Sequence, residues 1–129
     1  MNNTQKLFSL ASLAAKNAYA PYSEFAVGAA IYGSNSKFYA GCNVENISYP
    51  IGTCAEAGAI AAMIQDGCKK IEEILIFADS NKLITPCGAC RQRIAEFSSP
   101  DTLVHLANLS GVQKTYTIAD LLPNSFSEF

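Results

Sequence analysis

Three cysteines and one glutamate carry the chemistry that residue type and spacing allow in this chain. Cys54 and Glu56 stand two apart in Thr53-Cys54-Ala55-Glu56-Ala57, where loop-like sequence gives way to a run of small apolar residues. Downstream lies Pro86-Cys87-Gly88-Ala89-Cys90. A C-x-x-C pair alone is ambiguous between a structural zinc knuckle, a redox pair and chance. The third thiol favours a metal over a redox pair. Cys42 or Cys68 could close a structural site with four protein ligands, but Cys42 falls in strand-like sequence and Cys68 lies a whole helix beyond Cys54. Three thiolates leave the fourth tetrahedral position of a zinc ion to water, whose pKa the metal lowers toward neutrality. Glu56, a carboxylate beside the metal but not bound to it, can then take the water's proton and deliver it to a substrate nitrogen. Such transfer typically contributes about 10² to 10⁴ in rate. A first-turn acid that only answers the helix dipole gains about 0.3–1 kcal/mol. A charge that opens an otherwise apolar helix favours the catalytic role.

The surrounding elements must hold these side chains. Residues 4–18 read as a helix with Leu7, Leu10, Ala11, Ala14 and Ala18 on one face, Thr4 as cap and Pro21 as stop. Phe25 to Tyr32 reads as a buried strand, apolar on both faces. Gly33-Ser34-Asn35-Ser36 turns it into a second strand, Lys37 to Cys42. If the extended backbone persists, Asn43 and Glu45 point to the same side, an amide beside a carboxylate. The helix from about Cys54 to Gln65 is apolar all round and is expected to be buried, with Gly67 closing it. Ile74 to Ala78 reads as a central strand, Gly88 to Phe97 as a helix, and Leu103–Leu106 and Lys114–Ile118 as strands. Ala119 to Leu122 reads as a short helix. The order α-β-β-α-β-α-β-β gives a mixed five-stranded sheet covered by helices, an α/β three-layer α-β-α sandwich in one domain, residues 1–129.

Composition narrows the functional classes. Half of the 129 residues are hydrophobic, 16% are charged and the net charge is -2. That supports a sizeable core and offers no basic footprint for nucleic acid or an anionic membrane. The longest unbroken apolar stretch, Ala57 to Ile64, is far too short to span a bilayer. Five cysteines behind a polar N-terminal segment point to free thiols in a reducing cytoplasm rather than a disulfide framework. His105, the only histidine, sits in a strand-like run and reads as a core residue. Cys42 and Cys68 read as small apolar residues, and Lys69-Lys70 with Glu72-Glu73 as a solvated charge run.

Cys54-Ala55-Glu56 with Pro86-Cys87-Gly88-Ala89-Cys90 resembles the zinc signature of the cytidine deaminase superfamily. Ala20-Pro21-Tyr22-Ser23, Phe25, Val27-Gly28-Ala29-Ala30, Gly41-Cys42-Asn43-Val44-Glu45-Asn46, Cys90-Arg91-Gln92 and Leu121-Leu122-Pro123 with Phe126 narrow the resemblance to the small homotetrameric members of pyrimidine salvage. It covers nearly the whole chain. It implies one Zn²⁺ per chain on Cys54, Cys87 and Cys90, with Glu56 as the proton shuttle. Asn43 and Glu45 would hold ribose hydroxyls, the Ala55 N–H the base O2, and Phe25 would lie against the pyrimidine. Tyr49 and Phe126 would reach a neighbouring subunit's site. The implied reaction is hydrolysis of cytidine or deoxycytidine to the uridine nucleoside with release of ammonia.

The sequence departs from the family at Ala57, where many members carry an arginine that hydrogen-bonds the thiolates. Backbone N–H groups at the two helix starts are expected to compensate, with Arg91 or Arg93 helping. Two alternatives accompany this reading: a deaminase of another cytosine-containing compound such as a nucleoside antibiotic, and a non-catalytic zinc-stabilised binding module. The Asn43/Glu45 pair favours a sugar-bearing substrate, and an acid kept beside an open ligand position favours an enzyme.

Overall fold

In the computed structural model, which describes residues 1–129, the chain folds as α1 (Asn3–Ala15), β1 (Val27–Gly33), β2 (Phe38–Cys42), a single 3₁₀ turn (Tyr49–Ile51), α2 (Ala55–Gln65), β3 (Ile71–Ala78), α3 (Gly88–Glu96), β4 (Leu103–Asn108), β5 (Gly111–Thr117) and α4 (Ile118–Leu121). The five strands form one sheet in the order β2-β1-β3-β4-β5. Only β3 and β4 run parallel, and α3 makes the crossover between them. The mixed sheet and the helices on both faces match the expected architecture.

Strand alternation sorts the core into two layers. Leu75, Phe77 and Ala30 pack with Leu7, Ala11 and Ala15 of α1 on one face. Their neighbours Ile74, Ile76, Ala29 and Ile31 pack on the other with Ala59, Ile60 and Met63 of α2 and Ile94 of α3. The catalytic candidates all sit at the starts of α2 and α3, on this second face.

Element boundaries moved where tertiary contacts outweigh local pattern. Asn2, not Thr4, caps α1, in a reciprocal capping box with Gln5. The helix stops at Ala15, well before Pro21, because Tyr19 is drawn into a bridge with Val44: its N–H bonds the Asn43 carbonyl, and its carbonyl accepts from Glu45 N–H. β3 begins at Ile71, inside the expected charge run. Glu73 is not a solvated charge there, since it lies 2.9 Å from Nε2 of buried His105. Gly67 takes φ +87° just beyond α2, the left-handed ending the sequence called for.

α2 is not buried all round. Ala55, Ala59, Ile60 and Met63 face the sheet, whereas Ala61, Ala62 and Ile64 (39% exposed) face solvent, because no further layer of the chain covers that side. The helix is amphipathic by position rather than by composition.

Candidate active site

Cys54 and Cys87 occupy equivalent positions. Each is the N-cap residue of its helix in extended conformation, Cys54 for α2 and Cys87 for α3. The helices pack side by side on one face of the sheet, so the caps converge. Cys90, one turn into α3, points back to the same place and is fully buried. The three sulfurs lie within 4.8 Å of one another. A tetrahedral zinc with Zn–S near 2.3 Å sets its sulfurs about 3.8 Å apart, so the cluster fits such an ion with small adjustment.

Electrostatics supports a cation at this position. Burial pushes the Cys54 thiol above the ordinary thiol range against a lowering hydrogen bond with Cys90, and pushes the Cys90 thiol still further, with the Glu56 charge adding to both. Cys87 goes the other way: the N–H groups of Cys90 and Ala89 face its sulfur and hold the thiol below the usual range, although neither closes a capping hydrogen bond of ordinary geometry. Glu56 is 4% exposed, and burial raises its carboxyl above the usual carboxylate range. Two thiols and a carboxyl that burial shifts toward their neutral forms, beside one thiol shifted the other way, make a site whose ionised state a divalent cation would favour. Plasma-emission analysis of the purified protein should find one zinc per chain, and dialysis against a strong chelator should remove the zinc and lower the melting temperature.

Arg91 does not face the sulfurs. Its guanidinium bonds the carbonyls of Pro86 at 2.8 Å and Leu121 at 2.9 Å. Arg93 is exposed, and its charge acts on the Glu56 carboxyl, drawing its pKa down against the dominant effect of burial. Of the expected compensation for Ala57, the structure therefore shows the amides at the start of α3 and a distant contribution from Arg93, and places Arg91 elsewhere.

The cluster forms the floor of a cleft with a volume of 320 Å³. Asn43, Glu45, Tyr49 and Ala55 line it beside the cysteines and Glu56. A second hollow of 380 Å³ adjoins it and shares Glu45, Tyr49 and Gly52. Asn43 and Glu45 both turn toward the segment between α1 and β1. Asn43 accepts from Val27 N–H at 2.9 Å and donates to the Phe25 carbonyl at 2.8 Å. Glu45 accepts the N–H groups of Tyr22 and Ser23, each at 3.0 Å, and the Ser23 hydroxyl. Those donors hold its carboxyl below the ordinary range, Ser23 most of all. Each side chain thus spends part of its capacity fixing the wall and keeps a remaining lone pair or N–H for a ligand.

The aromatic candidates divide. Tyr49, 72% exposed, lines its own chain's cleft and stands against Tyr22 with ring centroids 5.8 Å apart. Phe25 and Phe126 stand outside the lining; Phe126, 66% exposed, packs edge-on against Phe129. Ile84 and Thr85 line the cleft without having been singled out from the sequence, as does Ile76 at the end of its strand. Ile84 and Thr85 precede Pro86 in a segment of no regular structure, and only their closeness to the Cys87 signature could have marked them. His105 lies apart, bonded to Glu73 and to the Thr115 hydroxyl at 2.8 Å.

Similarity to known proteins agrees with this geometry. Residues 1–106 match the cytidine and deoxycytidylate deaminase zinc-binding region. A cytidine deaminase of Sporosarcina psychrophila is 40% identical over 126 residues, 98% of this chain and 93% of that protein. One of Mycoplasma genitalium is 35% identical over 98% of this chain and 97% of its own length. The crystal structure of cytidine deaminase from Burkholderia pseudomallei superposes with a TM-score of 0.91, at 38% identity, covering 98% of this chain and all of that one. A cleft floored by three converging cysteines and a buried glutamate, in a fold and sequence shared at this level, has one consistent assignment: the chain belongs to the cytidine and deoxycytidylate deaminase family, whose cofactor is zinc.

Proposed function

We propose that this protein hydrolyses cytidine and deoxycytidine to uridine and deoxyuridine with release of ammonia, as a single catalytic domain spanning residues 1–129. The observation that carries the reading is Glu56, buried at the floor of the cleft beside the three sulfurs. In this reading Cys54, Cys87 and Cys90 hold Zn²⁺, which when bound acidifies a water and polarises it for attack on the pyrimidine C4. Glu56 takes the attacking water's proton and passes it to N3 of the base, then takes the proton of the hydroxyl so formed at C4 and gives it to the departing amine, which leaves as ammonia as the C4 carbonyl forms. Its buried setting keeps the proton affinity of the carboxyl high, which suits a group that must hold a proton between two steps. The Ala55 N–H, at the first residue of α2, serves the base O2. Asn43 and Glu45 take the sugar hydroxyls, Glu45 as a pure acceptor kept ionised by Ser23.

A cytoplasmic role in pyrimidine salvage suits a nucleoside substrate. No helix is long and apolar enough to cross a membrane. Assembly as a homotetramer is supported by the uncovered apolar side of α2 and by Phe126, which is exposed and stands outside its own chain's cleft. Sedimentation should then give four times the 13.8 kDa chain mass.

Ammonia release tests the reaction. Cytidine, deoxycytidine, free cytosine, blasticidin S and a short oligonucleotide are each supplied to zinc-loaded protein. Turnover on the two nucleosides with none on cytosine or the oligonucleotide is the expected pattern. Turnover confined to blasticidin S would replace the substrate. A full zinc complement with no turnover on any of them would make the chain a zinc-stabilised binding module.

A further inference from the structure

The segment Leu83–Cys87 lines the cleft through Ile84, Thr85 and Pro86 and ends on a metal-ligand candidate. It belongs to no helix or strand. Apart from the α3 amides that face the Cys87 sulfur, residues 83–87 make two hydrogen bonds, and Arg91 donates both. The Arg91 N–H bonds the Cys87 carbonyl at 3.0 Å, and Arg91 Nε bonds the Pro86 carbonyl at 2.8 Å. A third bond, from a terminal nitrogen of the guanidinium, reaches the Leu121 carbonyl at 2.9 Å. Leu121 is the last residue of α4, where helix carbonyls lack partners within the helix.

We propose that Arg91 is a positioning residue for the metal centre: its side chain straps Pro86, the residue before Cys87, to α4 and so fixes the approach of the Cys87 ligand to the start of α3. The planar fork of arginine is what the task needs. Its two outer edges serve carbonyls 35 positions apart in the chain at the same time, in one fixed relative orientation. A lysine keeps the charge but offers one compact ammonium that cannot span both. Arg91 touches no substrate and no sulfur, so its effect passes through the placement of Pro86 and Cys87. Groups that orient a metal ligand typically govern metal affinity by about 10- to 100-fold.

The inference rests on the reading of Cys54, Cys87 and Cys90 as the zinc ligands. Zinc-loaded full-length protein is mixed with a chromogenic chelator and the rate of zinc release is followed, in the wild type, R91K, R91A and Leu7→Ala. Leu7, in α1, is fully buried against the opposite face of the sheet and serves as a measure of general destabilisation. Below its melting temperature, Leu7→Ala is expected to melt earlier than the wild type and to release zinc at the wild-type rate. R91K and R91A are expected to release zinc about 10- to 100-fold faster. In cobalt-loaded protein, the thiolate-to-metal absorption band should shift in R91K and stay in place in Leu7→Ala. If R91A does not fold, R91K decides the matter. Wild-type release rate and an unshifted band in R91K, or equal acceleration in Leu7→Ala, overturn the role of Arg91 and leave the zinc site standing. A wild-type protein that holds no zinc overturns both.

Discussion

Replacing Glu56 with glutamine should lower kcat on cytidine by at least about 10² to 10⁴ while the protein keeps one zinc per chain. The substitution preserves shape and hydrogen-bonding reach and removes only the ability to carry a proton. Glu56 is 4% exposed and its carboxyl lies beside the Cys90 sulfur, so no solvent base can take its place. Zinc content and kcat measured on the same preparation separate loss of chemistry from loss of metal. Near-normal turnover with zinc bound would remove Glu56 from the mechanism. The same variant makes a second expectation in the metal-free protein. Burial raises the Glu56 carboxyl, so the folded chain binds more protons there than the unfolded chain does. Stability is therefore lost as pH rises from the ordinary carboxylate value through the raised folded one. Metal-free Glu56→Gln should lack that part of the loss, so that its denaturant midpoint falls less steeply with pH than the wild type's over the same window.

Gly41→Ala should unfold the site from behind. Gly41 pairs with Ala29 in the β1–β2 ladder and faces the first turns of α2. A Cβ there would sit 2.4 Å from the Ala59 nitrogen and 2.8 Å from the Ala55 carbonyl oxygen. Both are helix backbone, and no rotamer can relieve them. The helix must retreat, and its first turn carries Cys54, Ala55 and Glu56 away from Cys87 and Cys90. Overpacking of this kind costs about 1–3 kcal/mol, or more where backbone is the obstacle. The melting temperature should fall by several degrees and the zinc complement should drop with it. The neighbouring Gly58→Ala gives the contrast. Its Cβ would meet nothing closer than the Gly41 Cα at 3.5 Å, and it lies inside a helix. Relief of glycine's helix penalty, about 0.5–1 kcal/mol, should leave that variant at or above wild-type stability. Equal destabilisation by both substitutions would mean that the close approach of β2 to α2 does not constrain the site.

The candidate residues for the chemistry were legible without coordinates because their signal is local. A thiol at a helix start, an acid two residues on, and a second thiol pair at another helix start are read from adjacent positions, and both helix starts fell where expected. The element order was legible for the same reason, through the period-2 run of β1 and the apolar run of β3. What failed were inferences about neighbours. Ile64 and Ala61 look like core in a string of apolar letters, yet they face solvent, because the chain supplies no layer over that side of α2. Glu73 looks like surface charge and is tied to His105, thirty-two positions away. Arg91 looks like a counter-charge for thiolates from its place beside Cys90, but two carbonyls that lack partners take its guanidinium first.

By itself, then, the sequence determined which atoms can bind metal and move protons, and that they open two helices. Only the tertiary structure decided that the two helix starts face each other within sulfur-to-sulfur reach, that Asn43 and Glu45 are partly occupied in building the wall they belong to, and that the Arg91 guanidinium joins the Pro86 carbonyl to that of Leu121. The physical reason is one of range. Helix capping and side-chain alternation act over a few residues and leave their mark in adjacent letters. Burial, close backbone approach and the pairing of stray carbonyls depend on what the rest of the chain brings alongside.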